Sequence, residues 1–319
     1  MTAAGPPTPP ARRTWLAPLL LLVTTGTLLG VSTNLAKLAT DAGIPPLAFL
    51  TWSVAGAALV LSGVAAARGR LPALNARRLK FFVVSGLVSI AAPQLLFFLA
   101  IGHVGASFVA LAISLPPMLT YVGALLLGLE KLQAQRAAGV TLALGGAALL
   151  AYFKIAAPED NEGWIIATLI GAALLAVSNL YRTVRWPPRT SPDQLAPGSL
   201  IASALLLLLA AGLAALLGAP EGFSLVLPTD RWQPLVLVGA QIVVFSAQNF
   251  ASFSLLQLGG PVYVSLLGSI GAVVGIPIAV VLLGEAVPQG LVLGGTLVAL
   301  GIALLTFGGP KSVTDASIE

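Results

Sequence analysis

The sequence contains no cysteine and a single histidine, His103. Without thiols there is no disulfide framework, no thiolate metal site and no cysteine nucleophile, and one imidazole cannot assemble a multi-histidine metal centre. Charge is equally scarce: Asp, Glu, Lys and Arg make up 8% of the 319 residues, against about a quarter in a soluble domain. A chain so poor in polar surface is neither disordered, nor a disulfide-stapled secreted fold, nor a soluble enzyme. No polar block approaches ~100 residues, the scale of a globular domain, which also excludes one membrane anchor carrying a soluble head. What fills the chain instead is 57% hydrophobic residues, at a mean hydropathy of +0.98. This is the composition of an all-α polytopic membrane protein, the bilayer its obligatory partner.

A hydrocarbon core of ~30 Å needs about 20 apolar residues in helix. Ten stretches qualify: Trp15–Ala39, Leu47–Ala66, Lys80–Ile101, Gly105–Leu129, Arg136–Phe153, Trp164–Arg182, Pro197–Leu217, Pro234–Leu256, Pro261–Leu283 and Pro288–Phe307. Short Pro- or Gly-bearing connections separate them, and no strand-period pattern competes. Arg12-Arg13 before the first apolar run has the look of a signal peptide, but the run is too long for a signal core and nine more follow, so cleavage is not expected. With the N-terminus inside, thirteen of the sixteen basic residues fall on the cytoplasmic side, leaving Lys37, Lys154 and Arg231 outside. That bias predicts ten transmembrane helices with both termini cytoplasmic. The net charge of +5 reflects this sorting, not nucleic acid.

The two halves align. At an offset of 155 residues, Glu130 falls on Glu285, Gly139 on Gly294, Thr141 on Thr296 and Gly146 on Gly301. Near the starts of the halves, at a slightly different offset, Asn34-Leu35-Ala36-Lys37 mirrors Asn179-Leu180-Tyr181-Arg182. Apolar identities arise easily by chance here, so the weight rests on the Glu pair and the Asn-Leu-x-Lys/Arg pair. Five helices per half is an odd number, so the second half enters the membrane upside down, as a 5+5 inverted repeat with its binding site near the midplane. The division is a tail at 1–14, a first repeat at 15–153, a non-cytoplasmic linker at 154–163, a second repeat at 164–307 and a tail at 308–319.

A proline in span four, then Leu127-Gly128-Leu129-Glu130, then a glycine-rich helix reaching Gly146, repeated as Leu283-Gly284-Glu285 to Gly301, resembles the drug/metabolite transporter superfamily. Each half looks like an EamA domain, and the whole chain, tails apart, is similar to aromatic amino acid exporters of the YddG type. The resemblance implies a secondary transporter of amino acids or related small metabolites in a bacterial inner membrane, with no cofactor and no enzymatic step. One departure is that Pro116-Pro117 of the first half meets Gly271-Ala272 in the second.

Polar side chains at membrane depth face the protein interior or a watery cavity. Thr27, Gly30, Asn34 and Lys37 form one helical stripe, as do Gln241, Phe245, Gln248 and Ser252, with Asn249 beside them. Gln94, Phe98, Ser114, Tyr121, Trp52 and Tyr263 complete the expected substrate-binding set. Amides, hydroxyls and aromatic faces suit a neutral or zwitterionic solute. Each has a structural alternative: hydroxyls bond their own i−4 carbonyl, amides bridge helices, rings pack. Pro93 frees the Ser89 carbonyl, while Pro116 and Pro117 free those of Ala112 and Ile113. Glu130 and Glu285 are expected to tie helix ends or close a gate, and His103 to be solvated at a helix end. Lys37 and Arg182 read as snorkelling helix-end bases, or as the clamp of an organic-anion carrier.

No Asp or Glu lies deep in a span, which disfavours proton coupling, cationic-drug efflux and intramembrane catalysis. Facilitated diffusion or exchange by alternating access follows; nothing resembles a channel filter. A monomer suffices. Because the chain is cysteine-free, topology is directly testable. Single cysteines at Thr14 and Ser312 should react with an impermeant maleimide only in inverted vesicles, and one at Asp160 only in right-side-out cells. Labelling of the two ends from opposite faces would refute the even span count.

Overall fold

The computed structural model describes residues 16–71, 75–128, 131–155, 162–188, 190–219, 221–228, 232–287 and 290–307. Apart from one short 3₁₀ turn, every regular element among them is helical and none is a strand. Among the described residues, seven helical stretches are long and apolar enough to cross a bilayer, and two shorter apolar helices stand beside them. Large side chains such as Leu59, Leu205, Val243, Val273 and Val292 stand exposed on the outside. In water that surface would aggregate; in lipid it is the expected exterior.

The helices follow the punctuation of the sequence. α1 covers Leu16–Asp41, and α2, Pro46–Ala67, opens on a proline whose missing N–H would be unbonded there anyway. α3, Ala76–Gly86, is capped by Asn75, whose side chain accepts from the Arg78 N–H at 2.8 Å. It continues through a π turn at Leu87–Ala91 into α4, Ala92–Val104. The π turn sits where Pro93 cannot bond the Ser89 carbonyl, and the Ala92 N–H reaches back five residues to Leu87. Gly105, at φ 85°, turns the chain into α5, Ala106–Ala112. Then follow α6 (Pro116–Leu126), α7 (Ala134–Ile155), α8 (Glu162–Arg185), α9 (Pro192–Leu216), α10 (Gln233–Ser265), α11 (Leu267–Pro277, running into a second π turn at Ile278–Leu282) and α12 (Leu291–Phe307).

Two boundaries differ from the sequence expectation. The fourth stretch is not one helix but α5 and α6, broken at Ile113–Leu115 by the proline pair. Leu115 N–H recovers the Ala112 carbonyl at 3.0 Å, whereas the Ile113 carbonyl points at Gly268, where a Cβ would lie 1.6 Å from the oxygen. The second difference is at Gly259-Gly260-Pro261, expected to separate two spans. There the backbone stays helical, and the break comes at Leu266. Yet Gln248 and Val264 line the same central cavity.

Packing between the halves is reciprocal. Along the α7–α12 contact, a Cβ on Gly146 would strike the Gly294 carbonyl at 2.7 Å, and one on Gly301 would strike the Gly139 carbonyl at 2.5 Å. These are the glycine pairs that align at the offset of 155, each meeting the other's mate, as a pseudo-two-fold requires. The same exchange relates α1 against α11 to α8 against α6, and α4 against α8 to α10 against α1. α2 packs on α9. Small residues set these distances because dispersion and close backbone approach, not water expulsion, hold helices together in lipid.

Gly268→Val should therefore cost about 3 kcal/mol or more, the upper end of overpacking, and show as a lower melting temperature in detergent. Gly63→Ala, with nothing within 4 Å of the added carbon, should leave it unchanged.

Candidate substrate-binding site

The interior is closed by aromatic and aliphatic side chains, among them Phe49, Phe97, Phe98 and Phe245. Within it lies a cavity of about 90 Å³, room for several waters. Its walls come from α1, the α3–π–α4 helix, both sides of the α5–α6 break, α8, α10 and α11. From α10 it receives Phe245, Gln248, Asn249 and Ser252, from α4 Gln94, and from α8 Ser178, Asn179 and Arg182. Gly268 and Ile113, the contact between the two broken helices, form part of its lining. Among the described residues that line it, none is acidic.

The polar groups are held at defined angles. Asn249 Nδ2 donates to the Phe245 carbonyl at 3.0 Å, which locks its amide. The Gln248 Oε1 atom is buried without a partner among the described residues, an acceptor that favours occupation by a donor. Phe245 stacks on Phe98 with centroids 6.3 Å apart and planes within 7°, and Phe98 leans on Phe49. Phe98 thus backs the ring that faces the cavity.

Arg182 is placed differently from the snorkelling base expected at a helix end. Its side chain turns inward and is only 7% exposed. Nε donates to Ser85 Oγ at 2.9 Å, Nη2 donates to Ser89 Oγ, and the guanidinium lies 4.5 Å over the Phe253 ring. Ser89 Oγ in turn donates to the Ser85 carbonyl, one turn back across the π turn. Sequence spacing had the signal: Leu175, Ser178, Asn179 and Arg182 share one face of α8, opposite Ser85 and Ser89 one turn apart. What hid it was Lys37, the pseudo-symmetric base, which does not turn inward. Lys37 donates to Asp41 one turn on, at the exposed end of α1.

Other expected lining residues sit away from the cavity. Asn34 Nδ2 donates to the Gly30 and Gly275 carbonyls at 2.9 and 3.0 Å, stitching α1 to α11. Ser114 Oγ donates to the Leu111 carbonyl at 2.6 Å. Ser114 faces a second, apolar recess of about 550 Å³ between α5, α11 and α12. Trp52 is half-exposed and donates from Nε1 to the Leu225 carbonyl at 3.0 Å, anchoring the α9–α10 connection. Tyr121 caps the approach to α7, accepting from the Gln133 N–H and donating to the Lys131 carbonyl, with Arg136 over its ring. His103 stacks on Trp164 at 4.4 Å, an exposed helix-end pair. The helix carrying Tyr263 is described but its side chain is not, and Glu130 lies outside the described residues.

Glu285 ties one repeat to the other. Its carboxylate accepts from the Ser107 N–H at 3.1 Å and from Ser107 Oγ at 3.2 Å, against the turn at Gly105. An anion there satisfies donors that α5 cannot bond within itself.

The broken helices α5–α6 and α11 meet at the wall of this polar cavity. Residues 16–152 match the EamA-like transporter family. That EamA-like stretch runs from the first residue of α1 into the last turn of α7. A WAT1-related protein of Arabidopsis thaliana is 29% identical over 145 residues, 43% of this chain and 40% of that one. A second WAT1-related protein of the same plant is 22% identical over 206 residues, 54% of this chain and 61% of that one. The chain thus aligns with two-fifths and three-fifths of the lengths of these curated relatives. A crystal structure of a protein superposes with a TM-score of 0.62 over 92% of this chain and 98% of its own, at 20% identity, a likeness of fold alone. Residues 16–152 are thus similar to a transporter family, and the long apolar helices are those of a multi-pass membrane protein.

Glu285→Ala removes the acceptor for two Ser107 donors and should lower stability by about 1–3 kcal/mol, read as a melting-temperature drop. Glu285→Gln, which keeps one acceptor oxygen, should lose less.

Proposed function

We propose that this chain is a secondary transporter of the drug/metabolite superfamily. It exports amino acids, aromatic or otherwise neutral, and related small metabolites across a bacterial inner membrane, as do exporters of the YddG type that it resembles. In this reading ten helices form a 5+5 inverted repeat with both termini cytoplasmic, and a monomer carries the whole pathway. The reciprocal glycine contacts of α7 and α12 support the repeat. The observation that carries the function is the cavity itself. Gln94, Gln248, Asn249 and Ser252 converge there beside the Phe245 ring, with no acidic residue in its described lining.

Such a set binds by hydrogen bonds and ring contact, without a protonatable group that would couple transport to a pH gradient. Alternating access then consists of rocking one repeat against the other about the Gly268–Ile113 contact, with the Glu285–Ser107 tie holding one end. The other reading, an organic-anion carrier gripping its solute between Lys37 and Arg182, lacks its second base. Lys37 is bonded to Asp41 and only Arg182 lines the cavity.

In proteoliposomes loaded with unlabelled amino acid, counterflow of labelled phenylalanine or leucine should be saturable and insensitive to an imposed pH gradient. Gln248→Ala should reduce it about tenfold, the equivalent of one good hydrogen bond, with melting temperature preserved. Trp52→Phe should leave it intact, and Asn34→Ala should lower stability first. Undiminished counterflow in Gln248→Ala, or uptake driven by the pH gradient, would overturn the proposal.

A further inference from the structure

We infer that Arg182 is the receptor for the carboxylate of the transported solute, so that the substrate class is organic monocarboxylates and excludes the corresponding amides and amines. This rests on the transporter reading above and names what its cavity selects.

Arg182 is nine-tenths buried, lines the cavity, and has no carboxylate within ion-pair distance among the described residues. The ion pairs found there are Lys37–Asp41 and the Arg68 and Arg70 pairs with Asp193. A buried cation without a counter-charge is strongly unfavourable, and the neighbours of Arg182 orient it without neutralising it. Two serine hydroxyls take two of its five N–H donors, and the Phe253 ring covers one face. The remaining donors keep the planar fork that matches a carboxylate, and the cavity is the void they border.

Charge count separates the candidate anions. One fixed cation balances one negative charge, whereas a phosphate near neutral pH carries more than one, and no second base lines the cavity among the described residues. Across the void, the unpartnered Gln248 Oε1 offers an acceptor to a donor at the far end of the solute. An α-ammonium can use that acceptor, but a neutral amide oxygen does not replace a counter-ion, so the carboxylate is the obligatory half of the ligand. The alternative, that Arg182 only fastens α8 to α3 through Ser85 and Ser89, predicts no preference among ligands by charge.

The test uses the full chain in detergent and five probes: L-phenylalanine, 3-phenylpropionate, L-phenylalaninamide, 2-phenylethylamine and inorganic phosphate. Both acids should raise the melting temperature, with the amide, the amine and phosphate at least about tenfold weaker, the scale of a charge-assisted hydrogen bond. This comparison needs no variant. Arg182→Lys should bind the acids more weakly yet keep the preference, and Arg182→Gln should abolish it. Binding of the amide or amine as tightly as the acids overturns the inference, as do tight phosphate binding, no response to either acid, or an undiminished preference in Arg182→Gln. Counterflow with the same probes separates the two readings. Saturable exchange of the amine but not the acids leaves a transporter and removes the carboxylate receptor. Acid-selective binding without exchange does the reverse.

Discussion

Pro117 has no N–H to give the carbonyl of Ile113, and the centre of the molecule is arranged around where that oxygen points. In lipid a stranded backbone acceptor is costly, so a break in a spanning helix persists only when it faces protein or water. Here the break faces inward. Gly268 approaches closely enough that a side chain could not fit, and its Cα–H supplies a weak donor to the oxygen. That contact brings α5 and α11 together at the cavity wall. The other breach in helical bonding, the π turn before Pro93, likewise opens toward the interior, where Ser89 meets Arg182. Each proline defect in the first repeat thus ends in a contact with the second.

The two halves of the sequence pack alike along one helix pair and differ in what they place in the middle. At the α7–α12 contact the glycines exchange partners almost symmetrically. In the helices that open each repeat, the symmetry of Asn-Leu-x-Lys/Arg is broken twice. Asn34 is spent on carbonyls of α1 and α11, whereas Asn179 stays on the cavity wall. Lys37 turns outward to Asp41, whereas Arg182 turns inward to two serines and a ring. Local partners decide both cases. Asp41 stands one turn from Lys37, but the residue four positions beyond Arg182 is Trp186, and the acceptors within reach are across the helix interface.

These differences set the limit of what could be read from the residues alone. Helical character and punctuation by Pro and Gly depend on hydropathy and on backbone rules that act within a few residues, and most described helices begin where a proline, glycine or cap predicts. Of the α10 stripe, Phe245, Gln248 and Ser252 line the cavity, whereas Gln241 turns to Ser32 on α1. Asn34, Ser114, Trp52 and Tyr121 obey the same periodicity, but their hydrogen bonds go to neighbouring backbone. A stripe shows which side chains align, not which void they face. Rotation of each helix about its own axis is set by glycine contacts such as Gly30 against Gly271 and Gly275, and these become apparent only when the partner helix is in place. At Pro261 the helix continues past a local stop signal, the converse case.

The ends and the middle of the bundle hold together by different means. At the ends lie exposed pairs: Arg68 and Arg70 with Asp193, Lys37 with Asp41, His103 on Trp164. The Lys37–Asp41 pair is partly solvated and contributes at most about 1 kcal/mol, whereas Asp193 is largely covered beneath its two arginines. α7 with α12 and α2 with α9 instead pack helix on helix over long contacts and carry no cavity-lining group. Between shell and ends sit the helices that line the void, jointed at Gly105, at the α5–α6 break and at Leu266. The packing therefore combines long outer helix pairs, solvent-facing end contacts and inner helices that are broken or turned. Single glycines and prolines set that division, and the polar cavity lies where the broken inner helices meet.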